Sequence, residues 1–373
     1  MIYLDSAATS LYKPAPVYAA VLDAIQSMGS PGRGDHAPAA RAAECCFRCR
    51  EKLAELFHVS DVERVVFTFN ATHGLNIAIR SLIRPGARVL ISGWEHNAVT
   101  RPLHALGARL TVIDTPLFAP EAFLRAAEQA LESVDAAVCT HVSNVFGYIL
   151  PVEALAEQCR RKGVPLILDL SQSAGLLDVD FTALGAEFAA MPGHKGLLGP
   201  QGTGVLLCKN DAAPLLYGGS GSDSAARTMP EHLPDRLEAG THNVPGIAGL
   251  SAGLDYLLRR GTASVRDTEQ RRLAELAGLL ADEGGLRLFL SEDPERQSGV
   301  LSAVPEDVSC EALGEALGKN GVAVRSGLHC APLAHETAGT SATGTVRFSF
   351  SPFSTRSQMV RTAEICKKLL KKP

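Results

Sequence analysis

The sequence predicts an α/β fold: a mainly parallel sheet buried on both faces, followed by a smaller α/β unit. Three observations carry this. Between residues 65 and 208, short apolar runs alternate with helical patterns. The runs are almost continuously apolar rather than alternating, which marks strands covered on both faces. At 373 residues, 46% of them hydrophobic, the chain can fill more than one core without disulfide staples.

Residues 15–28 and 38–57 read as helices, the second with apolar positions near helical spacing. Strands are expected at 65–69, 88–92, 109–113, 136–142, 165–170, 187–190 and 203–208, with helices at 119–134 and 152–162 between them. Residues 217–235, beginning Tyr217-Gly218-Gly219-Ser220-Gly221-Ser222, read as a long loop of the kind that often carries function. A long helical stretch over 243–283 leads away from the first unit. Strands near 287–290, 298–304, 321–325 and 344–350, with helices near 309–319 and 355–370, form the second. The division expected is a segment 1–14 packing with the smaller domain, a large domain 15–250 and a small domain 251–373.

The 36 basic and 40 acidic residues leave a net charge of −4, too balanced for an electrostatic footprint on nucleic acid or anionic membrane. The basic run Lys367-Lys368 and Lys371-Lys372 reads as a solvated last helical turn. No apolar run is long enough for a membrane span, and Met1 to Asp5 show no secretory signal. Nine scattered cysteines are not a disulfide framework. Cys46-Phe47-Arg48-Cys49 lacks the second pair a zinc site requires, so a structural role is expected. A reducing cytoplasm is the expected compartment.

Three segments carry chemistry. Met191-Pro192-Gly193-His194-Lys195-Gly196 places a lysine between apolar strands, flanked by glycines that allow close approach of a ligand. A desolvated lysine can act as an amine nucleophile toward an aldehyde; an ordinary turn with a surface lysine is the plain alternative. Asp169 ends the buried run Ile167-Leu168, at the strand ends where open α/β sheets bind ligands. It could pair with a protonated pyridine nitrogen, or simply cap a helix. Phe67 to Asn76 runs from strand into helix, and the free N–H groups there, with the Thr72 hydroxyl, suit a phosphate. An amine, a pyridinium partner and a phosphate cradle in this order are what a pyridoxal 5′-phosphate enzyme requires.

At this point the chain resembles the class V aminotransferases of fold-type I, and within them the cysteine desulfurases related to selenocysteine lyase. The resemblance runs nearly end to end. It takes in Tyr3-Leu4-Asp5-Ser6-Ala7-Ala8-Thr9, Glu95-His96-Asn97-Ala98, His141 to Val145, Asp169 to Gln172, His194-Lys195, Glu238-Ala239-Gly240-Thr241, Arg325 to Pro332 and Gly344 to Arg347. It implies a large domain with a seven-stranded sheet and a homodimer. Lys195 would carry the cofactor and move the substrate's Cα proton, Asp169 would pair with the ring nitrogen, and His96 would stack on the ring. Asn144 and Gln172 would bond the phenolic oxygen, with Asn144 also facing substrate. Thr72, the amide of His73 and His194 would hold the phosphate, and Thr241 would reach the phosphate of a neighbouring subunit. Arg347 would clamp the substrate carboxylate. Cys330, on a loop flanked by Arg325 and His329, would be the reactive thiol, since basic neighbours favour the thiolate.

The implied activity is conversion of L-cysteine to L-alanine, with a persulfide on Cys330 passed to an acceptor protein or thiol, as in iron–sulfur cluster assembly. Alternatives are a selenocysteine lyase acting on L-selenocysteine, a cysteine-sulfinate desulfinase, another class V enzyme, or an inactive sulfur-transfer scaffold. Four places depart from the family pattern: Pro192 replaces a common hydroxyl residue, His73 replaces a frequent glutamate, Ser351-Pro352-Phe353-Ser354-Thr355 differs from the usual Asn-Thr after the arginine strand, and the segment around 217–229 differs from that of the best-known desulfurases.

Overall fold

The computed structural model describes residues 1–32, 34–281 and 285–370. In chain order its strands are β1 (Ile2–Tyr3), β2 (Val65–Thr68), β3 (Arg88–Ser92), β4 (Arg109–Ile113), β5 (Ala136–Thr140), β6 (Leu166–Asp169), β7 (Phe188–Pro192), β8 (Gly204–Cys208), β9 (Leu286–Phe289), β10 (Val300–Pro305), β11 (Val322–Ala323), β12 (Arg325–Gly327) and β13 (Thr345–Ser349). The large sheet has seven strands in the order β2-β8-β7-β6-β5-β3-β4. From β4 across to β7 every pairing is parallel, and β8 runs antiparallel to both β7 and β2.

Strand alternation divides the interior into two cores. Leu166 and Leu168 of β6 face one, with Cys49 and Leu53 from helix Ala37–Leu56 and Leu155 from helix Val152–Lys162. Ile167 faces the other, with Leu75 and Ile79 from helix Ala71–Leu82 and Val99 and Leu103 from helix Asn97–Ala105. Both faces are covered, which is why the runs read as continuously apolar. A third core, with Leu4, Leu276, Leu313, Val346 and Phe348, lies against the four-stranded sheet β12-β13-β10-β9.

The expected strands of the large sheet are all present. The helical stretch over 243–283 divides into Val244–Arg260 and Thr262–Ala281, because Gly261 takes a left-handed φ of 80° that ends the first helix; residues 282 and 283 lie outside the described residues, as do Lys371 and Lys372. The single strand near 321–325 divides as well: β11 pairs with β1, whereas β12 joins β13. Residues 217–235 form no helix or strand. Among the described residues no helix is long and apolar enough to cross a membrane.

The first ten residues touch both sheets. After β1 pairs with β11, the Ala7 amide donates to Ser349 Oγ at 2.9 Å, the Ala7 carbonyl accepts from Gln172 Nε2 at 3.0 Å, and the Ser10 amide donates to the His194 carbonyl at 2.9 Å.

Candidate active site

Because β3, β5, β6 and β7 run parallel, their C-terminal ends share one edge of the sheet. The loops leaving that edge bring Thr72, His96, Asn144, Asp169, Gln172, His194 and Lys195 around one cleft of about 490 Å³. Seven side chains drawn from five separate segments therefore meet where open α/β sheets bind ligands.

Asp169, 2% exposed, ends β6 and accepts the Ser171 N–H on Oδ1 at 2.9 Å. Lys195 follows β7. Burial pulls its pKa down to about 8 against an opposing pull from Asp169; the Arg347 and Arg325 charges add to the lowering. Its amine is thus far closer to neutrality at physiological pH than a surface lysine. The neighbouring glycines serve a different purpose from the expected ligand approach. A Cβ on Gly196 would lie 2.2 Å from the Ala174 carbonyl oxygen, and one on Gly193 would lie 2.1 Å from Thr203 Oγ1. They let the lysine loop press against the Ala174 backbone and the Thr203 side chain.

His96 caps helix Asn97–Ala105 and lines the cleft at once. Its Nδ1 accepts the Ala98 N–H at 3.0 Å, so the neutral ring carries its proton on Nε2. Burial lowers its pKa to about 4, with Asp169 opposing and Lys195 adding. His194 is held by Thr9, whose Oγ1 lies 3.0 Å from Nδ1, and burial lowers its pKa to about 4 as well.

The helix start differs in detail from the sequence expectation. Asn70 is the N-cap of helix Ala71–Leu82, and its Oδ1 accepts the His73 N–H at 2.9 Å. That amide is therefore already engaged, and the anion-binding positions left at the cleft are the first turn at Ala71 and Thr72. The His73 ring stacks on Phe69 at 4.7 Å and lines a second pocket of about 470 Å³, together with Thr241 and Glu238. Thr241 lies outside the Lys195 cleft of its own chain. Glu238 anchors this loop: it forms a bidentate pair with buried Arg50, at 2.8 and 2.6 Å, and accepts the Phe67 N–H at 2.6 Å. Sequence reasoning had no signal for Arg50, which sits 188 residues from its partner.

Arg347 lies on β13 at 1% exposure. Its Nη1 donates to the Asn144 carbonyl at 2.9 Å and its Nη2 to Asp5 Oδ1 at 2.7 Å, while Nε is buried with no partner. Asn144 in turn donates Nδ2 to the His329 carbonyl at 2.9 Å and leaves its buried Oδ1 without a partner.

Cys330 is exposed, whereas seven of the other eight cysteines are buried and Cys45 is half-buried. His329 and Cys330 take left-handed φ values of 51° and 57°, two consecutive non-glycine residues in a region that side chains disfavour. The loop is tied across the cleft mouth, since the Cys330 carbonyl accepts the Asn97 N–H at 2.8 Å, next to His96. Of the two flanking bases only Arg325 reaches the sulfur, with Nη2 at 3.6 Å from Sγ, where a cation offers a thiolate its counter-charge. His329 is instead turned into the small unit. Its Nε2 lies 2.9 Å from Thr345 Oγ1, and burial, with Arg347 adding, pushes its pKa down to about 2, so it stays neutral. The expectation that His329 lends charge to Cys330 is thereby corrected.

Known proteins resemble this chain over nearly its whole length. The family model described as aminotransferase class-V matches residues 2–361. A probable cysteine desulfurase of Methanothermobacter thermautotrophicus is 31% identical, over 96% of this chain and 92% of the relative. Among solved structures, the apo cysteine desulfurase of Thermococcus onnurineus NA1 superposes with a TM-score of 0.92 at 28% identity, covering 99% of this chain and 94% of that one. An Escherichia coli cysteine desulfurase, solved in an S-sulfonic acid form, gives a TM-score of 0.87 at 28% identity with the same coverage.

Proposed function

The chain belongs to the class-V aminotransferase family, and from that premise we propose that it is a pyridoxal 5′-phosphate-dependent cysteine desulfurase, which takes L-cysteine to L-alanine and leaves the sulfur as a persulfide on Cys330 for an acceptor. The observation that carries this reading is the placement of an exposed cysteine on a strained loop, tied to Asn97 and Asn144 at the mouth of the Lys195 cleft.

The cleft fits the cofactor. It offers an amine with a pKa near 8, a buried carboxylate, a helix start for a phosphate and a buried amide oxygen still lacking a partner. When bound, pyridoxal phosphate supplies an aldehyde for amines and a ring that stores an electron pair. Lys195 would hold it and then serve as the base that takes the substrate's Cα proton, a role that its lowered pKa suits. Asp169 would keep the ring nitrogen protonated. His96, neutral, would lie on the ring face. Thr72 and His194 would hold the phosphate, with the Ala71 and Thr72 amides in place of the engaged His73 amide. Asn144 and Gln172 each keep a second side-chain N–H for the phenolic oxygen beyond the bond already made.

Arg347 would receive the substrate carboxylate. The Cys330 thiolate would then attack the substrate sulfur: the new S–S bond forms as the C–S bond breaks, and the electron pair stays with the substrate carbon, which takes a proton and leaves as alanine. Exposure of Cys330 leaves the persulfide open to an acceptor thiol.

The reading extends to a homodimer, in which Thr241, remote from its own cleft, serves the phosphate of the second copy. It extends also to a cytoplasmic enzyme whose sulfur goes to iron–sulfur cluster assembly; nine unpaired cysteines suit a reducing compartment. L-selenocysteine is a second substrate compatible with the same cleft. In the test, Cys330→Ala keeps the cofactor's visible absorbance and loses release of sulfide and alanine from L-cysteine. Unchanged sulfide release overturns the role of Cys330, and surviving turnover of selenocysteine in this variant marks the site as a lyase.

A further inference from the structure

Arg347 already has a carboxylate. Its Nη2 lies 2.7 Å from Asp5 Oδ1, and the Asp5 side chain is 21% exposed while that of Arg347 is 2% exposed. Asp5 belongs to the segment linking both sheets. Its carbonyl accepts from the Tyr3 hydroxyl at 3.1 Å and from the Ala8 N–H at 3.0 Å, and it bridges to Ser349 of β13. The backbone that carries the carboxylate is therefore held in place. The other terminal nitrogen, Nη1, donates to the Asn144 carbonyl at 2.9 Å. What remains for an incoming carboxylate is the unpartnered Nε and the second proton on each Nη.

From this geometry we infer that Asp5 is a specificity-determining residue: an internal counter-ion that holds the anion affinity of Arg347 low, so that the cleft retains a carboxylate only when the rest of the amino acid is also engaged. This inference rests on the reading of Arg347 as the carboxylate site. An isolated buried guanidinium would be an indiscriminate anion trap, because an unpaired buried cation gains strongly from any counter-charge. Asp5 offsets that charge in advance. A substrate carboxylate arriving at the shared cation meets the Asp5 carboxylate as a like charge on the same fork, and this repulsion lowers its net gain. Arg325 adds positive charge nearby, as its influence on Lys195 and Arg347 shows, so the cleft still favours an anion overall. A simple anion such as acetate or chloride brings no amine to engage Lys195's end of the cleft, and the pre-neutralised fork rejects it.

The experiment measures KM for L-cysteine and the competitive inhibition constant of acetate in the holoenzyme, for the parent, Asp5→Asn and Asp5→Ser. Asparagine keeps an oxygen for Nη2 and removes only the charge. The expected result is a fall in the acetate constant on the order of tenfold in Asp5→Asn, with a smaller fall in KM. Asp5→Ser moves in the same direction. Binding of acetate to the same proteins by titration calorimetry supplies a readout independent of turnover. An acetate constant that is unchanged or raised, with KM raised, overturns the inference and makes Asp5 merely a support for the fold. Arg347→Lys in the Asp5-containing protein separates the two layers: a raised KM supports Arg347 as the carboxylate site, whereas an unchanged KM overturns that reading and the inference with it.

Discussion

Lys195 and Asp169 show how residue-level electrostatics sets the chemistry. Burial alone would take the lysine further from its ordinary pKa, and Asp169 holds it back, to about 8. Asp169→Asn removes the raising influence, so in the cofactor-free protein the Lys195 pKa falls below that of the parent. The check is the pH dependence of acylation at Lys195 by an amine-reactive reagent, whose midpoint moves to lower pH in the variant; a midpoint that stays or rises contradicts the assignment. Glu95 offers a second titration. It is fully buried, accepts from the Ser92 hydroxyl at 2.5 Å and the Thr140 amide at 2.8 Å, and burial raises its pKa to about 8 from 4.5. An acid raised in the folded state contributes stability that is complete below its unfolded pKa and is lost as pH rises through the folded one. The contribution of Glu95 to the melting temperature therefore declines as pH goes from about 4.5 through about 8, opposed on the acid side by the buried neutral His96, His194 and His329. Glu95→Gln removes that contribution, so its melting temperature gains on the parent's as pH rises across this window, and a difference that stays constant with pH counts against the assignment.

At the scale of elements, the site depends on how closely the Lys195 loop packs. Gly196 has no room for a side chain, since a Cβ would meet the Ala174 carbonyl oxygen at 2.2 Å. Gly196→Ala must displace backbone on one side or the other. The expected cost is roughly 1–3 kcal/mol of stability, in line with overpacking elsewhere, together with weaker retention of the cofactor. Chemical denaturation and the visible absorbance of the purified holo-protein measure the two effects separately. The Cys330 loop contrasts with this: of its two left-handed residues His329 is buried and bonded to Thr345, whereas Cys330 is held through its carbonyl by Asn97, which leaves the sulfur exposed.

Over the whole molecule, Lys195 and Asp169 come from the large sheet, Arg347 and Cys330 from the region of the small one, and the Tyr3–Ser10 stretch is bonded to both. The large sheet was legible because its strands are apolar on both faces, and Lys195 and Asp169 because their types and positions are unusual next to such strands. The helix break at Gly261 was not, since a lone glycine is often tolerated within a helix. The separation of β11 from β12 was hidden by the unbroken apolar run from Val322 to Val324. His329 misled because adjacency in sequence says nothing of which way a ring points, and the His73 amide because a competing cap, Asn70, stands three residues before it. The Asp5–Arg347 pair spans 342 positions and has no local pattern at all. The account as a whole is tested most directly by peptide mass spectrometry of the holo-protein after brief exposure to L-cysteine. One added sulfur atom on the Cys330 peptide, with an equivalent of alanine in solution, is the predicted result; alanine formed while the Cys330 peptide keeps its original mass, or added sulfur found on another cysteine instead, would contradict it.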